Sequence, residues 1–199
     1  QYERCTEFVS RDENPELWGS IMNYIGLANW EIGTRTEGPE IQLHLNAAIV
    51  AYRRALDVYP HNQFPYDWAM TQNRLGIALD NQGIRIGGEE GTKLLAQAVD
   101  AFNNALEVYT RDQLPQDWAM TQSNLGAALQ EQGIRTGGEE GAKLLAQSVT
   151  AYNNALEVYA RDQLPQQWAM TQNNLGIALR NQGTRTGGEE GAKLLAQAV

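Results

Sequence analysis

Nineteen residues, RDQLPQDWAMTQSNLGAAL from Arg111 to Leu129, return fifty positions on as RDQLPQQWAMTQNNLGIAL from Arg161 to Leu179. They also stand fifty positions earlier, with more differences, as HNQFPYDWAMTQNRLGIAL from His61 to Leu79. Self-similarity at a fixed period of about 20 to 50 residues belongs to stacked supersecondary units, because one such unit cannot bury its apolar face alone. A chain of this kind has no single core, so its 199 residues count repeats, not globular domains. The period lays it out as one array over 1-199: the end of a preceding repeat at 1-14, repeats at 15-64, 65-114 and 115-164, and a shortened repeat at 165-199. Both ends fall in mid-pattern, since Tyr2, Cys5 and Val9 keep the phase of Tyr52, Ala55 and Tyr59, and Val199 keeps that of Val99 and Val149. An excised piece of a longer protein is the expectation, with apolar surface at its ends, Ala198 and Val199 included.

Each period holds two helices. The first opens at Pro15, Pro65, Pro115 or Pro165, in a turn whose N–H groups lack helical partners anyway. It is expected to close near Gly33, Gly83, Gly133 or Gly183, where glycine takes a left-handed cap. Between these points Trp118, Leu125 and Leu129, spaced seven and four, make one apolar helical face. After a Gly-rich loop, Glu139 and Glu140 complement the dipole of the second helix in its first turn. That helix is apolar on two flanks: Leu145, Val149, Tyr152, Leu156 and Tyr159 on one, Leu144, Ala151, Ala155 and Val158 on the other. Lys143, Gln147, Thr150, Asn154 and Glu157 form its solvated stripe. The expected helices are 15-32, 39-59, 65-82, 89-109, 115-132, 139-159, 165-182 and a shortened last one.

These motifs resemble the tetratricopeptide repeat (TPR). Leu75-Gly76, Leu125-Gly126 and Leu175-Gly176 match its L-G pair, and Ala98, Phe102 and Ala105 match its second-helix signature, repeated by Ala48, Tyr52 and Ala55. Two departures stand out. Gln72, Gln122 and Gln172 occupy the family's Trp slot, with Trp68, Trp118 and Trp168 one turn earlier, and the period is fifty where the family's is about 34. The resemblance covers the whole chain and is to elongated repeats of bacterial signalling proteins. It implies an all-α, right-handed superhelical solenoid of antiparallel helix pairs, with the first helices lining a concave groove.

Charge and chemistry narrow the function. A net charge of -9 opposes nucleic-acid or anionic-membrane partners, which select clustered Lys and Arg, and favours a neutral or basic protein segment. One cysteine, Cys5, permits no internal disulfide and fits a reducing compartment, and no apolar run or leader pattern indicates a membrane or secretion; a soluble, cytoplasmic chain is expected. Titratable groups recur in every period, as Arg85, Arg135 and Arg185 do, which is the mark of a structural ladder and not of one catalytic constellation. His44, His61 and Cys5 find no such partners. The GGEEG segments lack the Lys-Ser/Thr of a phosphate loop and the alternating ligands of a calcium loop, so they turn the chain and start a helix. No enzyme activity, metal or cofactor is expected, and Trp18, Trp68, Trp118 and Trp168 are expected to fill the space between repeats.

Copy-to-copy differences point to a surface. Residues 101-149 and 151-199 differ at nine of 49 positions, six of them within 115-134, and Ser123, Ala127, Gln130 and Ile134 among these fall at spacings of four, three and four. Counted from the L-G pair, that stripe is placed on the groove. Its rungs are Asn23, Leu27 and Trp30; Asn73, Ile77 and Asp80; Ser123, Ala127 and Gln130; and Asn173, Ile177 and Arg180. Mixed aromatic, aliphatic, acidic and basic side chains along one line suit side-chain selection, so these twelve residues are the candidate partner-binding groove. The expected function is a non-enzymatic protein- or peptide-binding scaffold or sensor. The alternative is a structural spacer that associates end to end.

Overall fold

The computed structural model describes residues 9-198, and expectations resting on Tyr2, Cys5 and Val199 fall outside them. The described chain is all-helical: α1 (Pro15–Arg35), α2 (Glu40–Leu56), α3 (Pro65–Ile86), α4 (Gly88–Leu106), α5 (Pro115–Arg135), α6 (Gly138–Leu156), α7 (Pro165–Thr186) and α8 (Gly188–Gln197). Odd-numbered helices are the first of each pair and even-numbered ones the second. Among the described residues each helix packs on its successor, the arrangement of an α-helical repeat solenoid. None of the described helices is long and apolar enough to cross a membrane.

The first helices start at proline as expected but run past Gly33, Gly83, Gly133 and Gly183 to Arg35, Ile86, Arg135 and Thr186. Those glycines are not caps. They sit where the two helices of a pair touch: a Cβ on Gly83 would meet the Gly91 carbonyl oxygen at 2.9 Å, and one on Gly183 would meet that of Gly191 at 2.8 Å. The left-handed turn falls later, at Gly87 (φ 68°), Gly138 (φ 60°) and Gly187 (φ 67°), conformations that a side chain would strain. Second helices stop three residues sooner than expected, at Leu56, Leu106 and Leu156, so that Tyr59, Tyr109 and Tyr159 leave the helix and bury their rings in the turn that follows. Tyr59 there donates its hydroxyl to the Glu16 carbonyl at 2.9 Å.

The L-G glycines have a steric role. A Cβ on Gly26, Gly76 or Gly126 would lie 2.5, 2.6 or 2.9 Å from the ring of Tyr52, Phe102 or Tyr152, so these positions admit a second-helix aromatic against the first helix. Around the Tyr52 and Phe102 rings one continuous core joins Ala48, Leu75, Leu79, Leu125 and Leu129 across three repeats, and the Tyr152 ring sits in a further cluster with Leu175 and Leu179. Smaller clusters form at the other end of each pair. Trp68 touches both the Tyr59 and the Tyr109 cluster, and Trp118 both the Tyr109 and the Tyr159 cluster, so the tryptophans do fill the space between repeats. The outer stripe Lys143, Gln147, Thr150 and Glu157 is exposed; Asn154 is half-buried and donates to Gln122 Oε1 at 3.4 Å, which takes it out of the purely solvated set.

The arginine ladder is structural as well. Arg135 Nη1 donates to the Gly83 carbonyl at 2.8 Å and Nη2 to that of Ile84 at 3.0 Å, while its Nε meets Glu131 at 2.8 Å. Arg185 likewise binds the Thr136 and Ile134 carbonyls. A cation from one repeat thus satisfies the open carbonyl end of the first helix in the repeat before, where the helix dipole favours positive charge. Arg85 departs from the ladder and is exposed.

Candidate functional site

Curvature identifies the inner face. Among the described residues, the backbones of α1 and α3, of α3 and α5 and of α5 and α7 approach closely, whereas successive second helices stand farther apart and meet through long side chains, as where Arg53 Nη2 on α2 donates to Gln97 Oε1 on α4 at 2.8 Å. The layer with closer neighbours is the inner one, so the first helices line the concave side and the second helices the outer side.

Within that face the twelve candidate residues separate by rung. The middle rung, Leu27, Ile77, Ala127 and Ile177, is half-exposed in every repeat and lies on the groove. The rung at Asn23, Asn73 and Ser123 does not: all three are buried in the seam between first helices. Asn23 Nδ2 donates to Thr71 Oγ1 of the next repeat at 2.9 Å, and Thr121 Oγ1 donates to Asn73 Oδ1 at 3.4 Å. These amides are engaged between repeats and are not offered to a ligand backbone. Asn173 is exposed.

The Asn–Thr ladder breaks once. Ser123 is too short to reach across, and the buried Thr171 Oγ1 is left without a partner. Ser123→Asn is therefore expected to restore the missing rung and raise stability by about 0.5 to 1.5 kcal/mol, the net worth of one hydrogen bond. Urea melts of the two chains measure the difference, and an unchanged or lower midpoint for the variant contradicts it.

The third rung is mixed. Arg180 is exposed, while Trp30, Asp80 and Gln130 are half-buried, and Trp30 Nε1, Asp80 Oδ1 and Gln130 Oε1 are shut off from water without hydrogen-bond partners. Burial, with Glu131 adding to it and Arg135 opposing it, pushes the Asp80 carboxyl up to about 7. Tyr52 is pushed up to about 12 by burial, so its hydroxyl keeps its proton near neutrality.

Sequence patterning picked out Ile77 and Ile134 but missed the residues that continue their line: Tyr66, Met70, Arg74, Asn81 and Ile84 on α3, with Met120 and Asn124 on α5 and Met170 on α7 in equivalent places. Several of its large apolar members are exposed, among them Tyr66 at 49%, Met120 at 39% and Met170 at 58%. Variation at a second position of this line is present in the sequence, as Tyr24, Arg74, Asn124 and Asn174, and was the available signal. Leu27, Trp30 and Ile77 come together with Tyr52, Arg74 and Met120 around a cavity of about 210 Å3. No group of three or more His, Cys, Asp or Glu among the described residues is arranged to hold a metal ion. No family model, curated protein or solved structure matches the chain.

Proposed function

We propose that this chain is a non-enzymatic binding segment that holds a protein or peptide in the groove along α1, α3, α5 and α7. Tetratricopeptide-type scaffolds of larger bacterial signalling proteins in the cytoplasm are the setting that its sequence resemblance suggests. One observation carries most of the weight: large apolar side chains lie exposed in a line on the concave face, including Tyr66, Met120 and Met170. Exposed apolar lines cost solubility and mark contact surfaces. Methionine adapts to varied apolar partners, and tyrosine and arginine dominate binding energy where they are buried on association.

Against a peptide selected by display on the intact chain, Tyr66→Ala and Met120→Ala are each expected to weaken binding by about 1 to 2 kcal/mol. Lys93→Ala on α4 and Glu107→Ala just past its end are expected to leave it unchanged. Calorimetric titration measures both, and the opposite ranking moves the site to the convex face. Trp30→Ala is a poorer probe than its sequence suggests, because Trp30 also packs on the central core and its loss costs stability.

A further inference from the structure

The cavity between α1, α2, α3 and α5 has mainly apolar walls, with Tyr52, Asn73 and Arg74 as its polar side chains. Leu27, Ile77 and Met120 supply apolar surface. Trp30 carries an indole N–H that is shut off from water and lacks an acceptor. Arg74 stands on the lining with no ion-pair partner among the described residues, and it is the only arginine at its repeat position, where the other copies have Tyr24, Asn124 and Asn174. Asn73 also lines the space, but its carbonyl oxygen already accepts from Thr121 and Asn124. An occupant therefore meets apolar surface with a guanidinium beside it.

Size limits the occupant further. Pockets for whole small molecules run to about 300–1,000 Å3. At about 210 Å3 this one suits a single large side chain.

We propose that this pocket takes an aromatic or branched aliphatic side chain from an internal stretch of a partner peptide, with an adjacent Asp or Glu carboxylate held by Arg74. The proposal rests on the groove reading above and adds a local rule, apolar then acidic, at one place in a chain whose net charge of -9 would otherwise favour basic partners. Charge-assisted pairing with a planar guanidinium gives the geometry its selectivity.

The test uses three hexapeptides blocked at both ends, acetyl-Gly-Ser-Phe-Glu-Ser-Gly-amide and its Phe-Gln and Phe-Lys counterparts, titrated into the intact chain. The Trp30 indole N–H resonance, assigned with Trp30→Phe, reports occupancy. The Phe-Glu peptide is expected to shift it saturably and to bind about fivefold more tightly than Phe-Gln, a preference that Arg74→Gln abolishes while the far-UV melt stays in place. Equal binding of Phe-Glu and Phe-Gln, tighter binding of Phe-Lys, or a preference that survives Arg74→Gln overturns it. Peptides that shift Ile177 and Met170 but not Trp30 overturn the pocket and leave the groove reading standing. Shifts confined to α2, α4 and α6 overturn both.

Discussion

Leu79→Ala is expected to destabilise the chain by about 3 to 5 kcal/mol, the upper part of the range for a leucine truncated in a packed core. Leu79 is 1% exposed and sits among Ala48, Tyr52, Phe102 and Leu129, contributed by three successive repeats. A solenoid is held by its nearest-neighbour interfaces, so a cavity here weakens two of them together. Leu125→Ala is expected to cost less, nearer about 2 kcal/mol, because Leu125 borders an open cleft of about 320 Å3 with Val99, Gln122 and Asn154 and its surroundings can close in. Lys143→Ala, on the exposed outer stripe, is expected to change stability by less than about 0.5 kcal/mol. Denaturant melts give all three values, and a Lys143 effect larger than the Leu79 effect contradicts the assigned faces.

Stability is expected to fall with rising pH through a window set by Asp80. Its carboxyl is raised to about 7 in the folded chain, first by burial, then by Glu131, against the pull of Arg135. An unfolded aspartate releases its proton near about 3.9. Between these values the folded chain holds a proton that the unfolded chain has lost, so its contribution is complete below the lower value and is lost as pH climbs through the upper one. The loss amounts to roughly 2 to 4 kcal/mol, allowing for partial solvation of the side chain. Asp80→Asn keeps the shape and removes the charge. Relative to the native chain, the variant is expected to gain stability steadily from pH 4 to pH 8. Parallel pH profiles for the two chains would contradict the placement of Asp80 in a poorly solvated seam.

The fold was legible because the repeat, the prolines and the two-sided apolar pattern all act locally or through identical neighbours. Helix ends were less so. Gly83 and Gly183 resemble caps in sequence, yet they serve a close crossing of two helices, and a one-dimensional pattern does not distinguish these uses of a missing Cβ. The stripe was placed to within one helical step of the exposed line on the first helices. Neighbouring residues on a helix point about 100° apart, so a stripe begun at Asn23 and not at Tyr24 turns its flanking rungs into the seam while leaving Leu27 and Ile77 on the surface. Asparagine at 23 and 73 passes for a surface residue by polarity. Its burial depends on Thr71 and Thr121 forty-eight residues away, a pairing that becomes visible only when first helices are stacked.

Methyl-resolved NMR of the intact chain, with a peptide selected by display added to saturation, addresses the groove assignment most directly. Concave-face binding predicts shifts at Met120, Met170, Ile77 and Ile177, all on first helices, with Val99 and Val149 of the second helices unmoved. Shifts at Val99 and Val149 with the four inner methyl groups unchanged would contradict it.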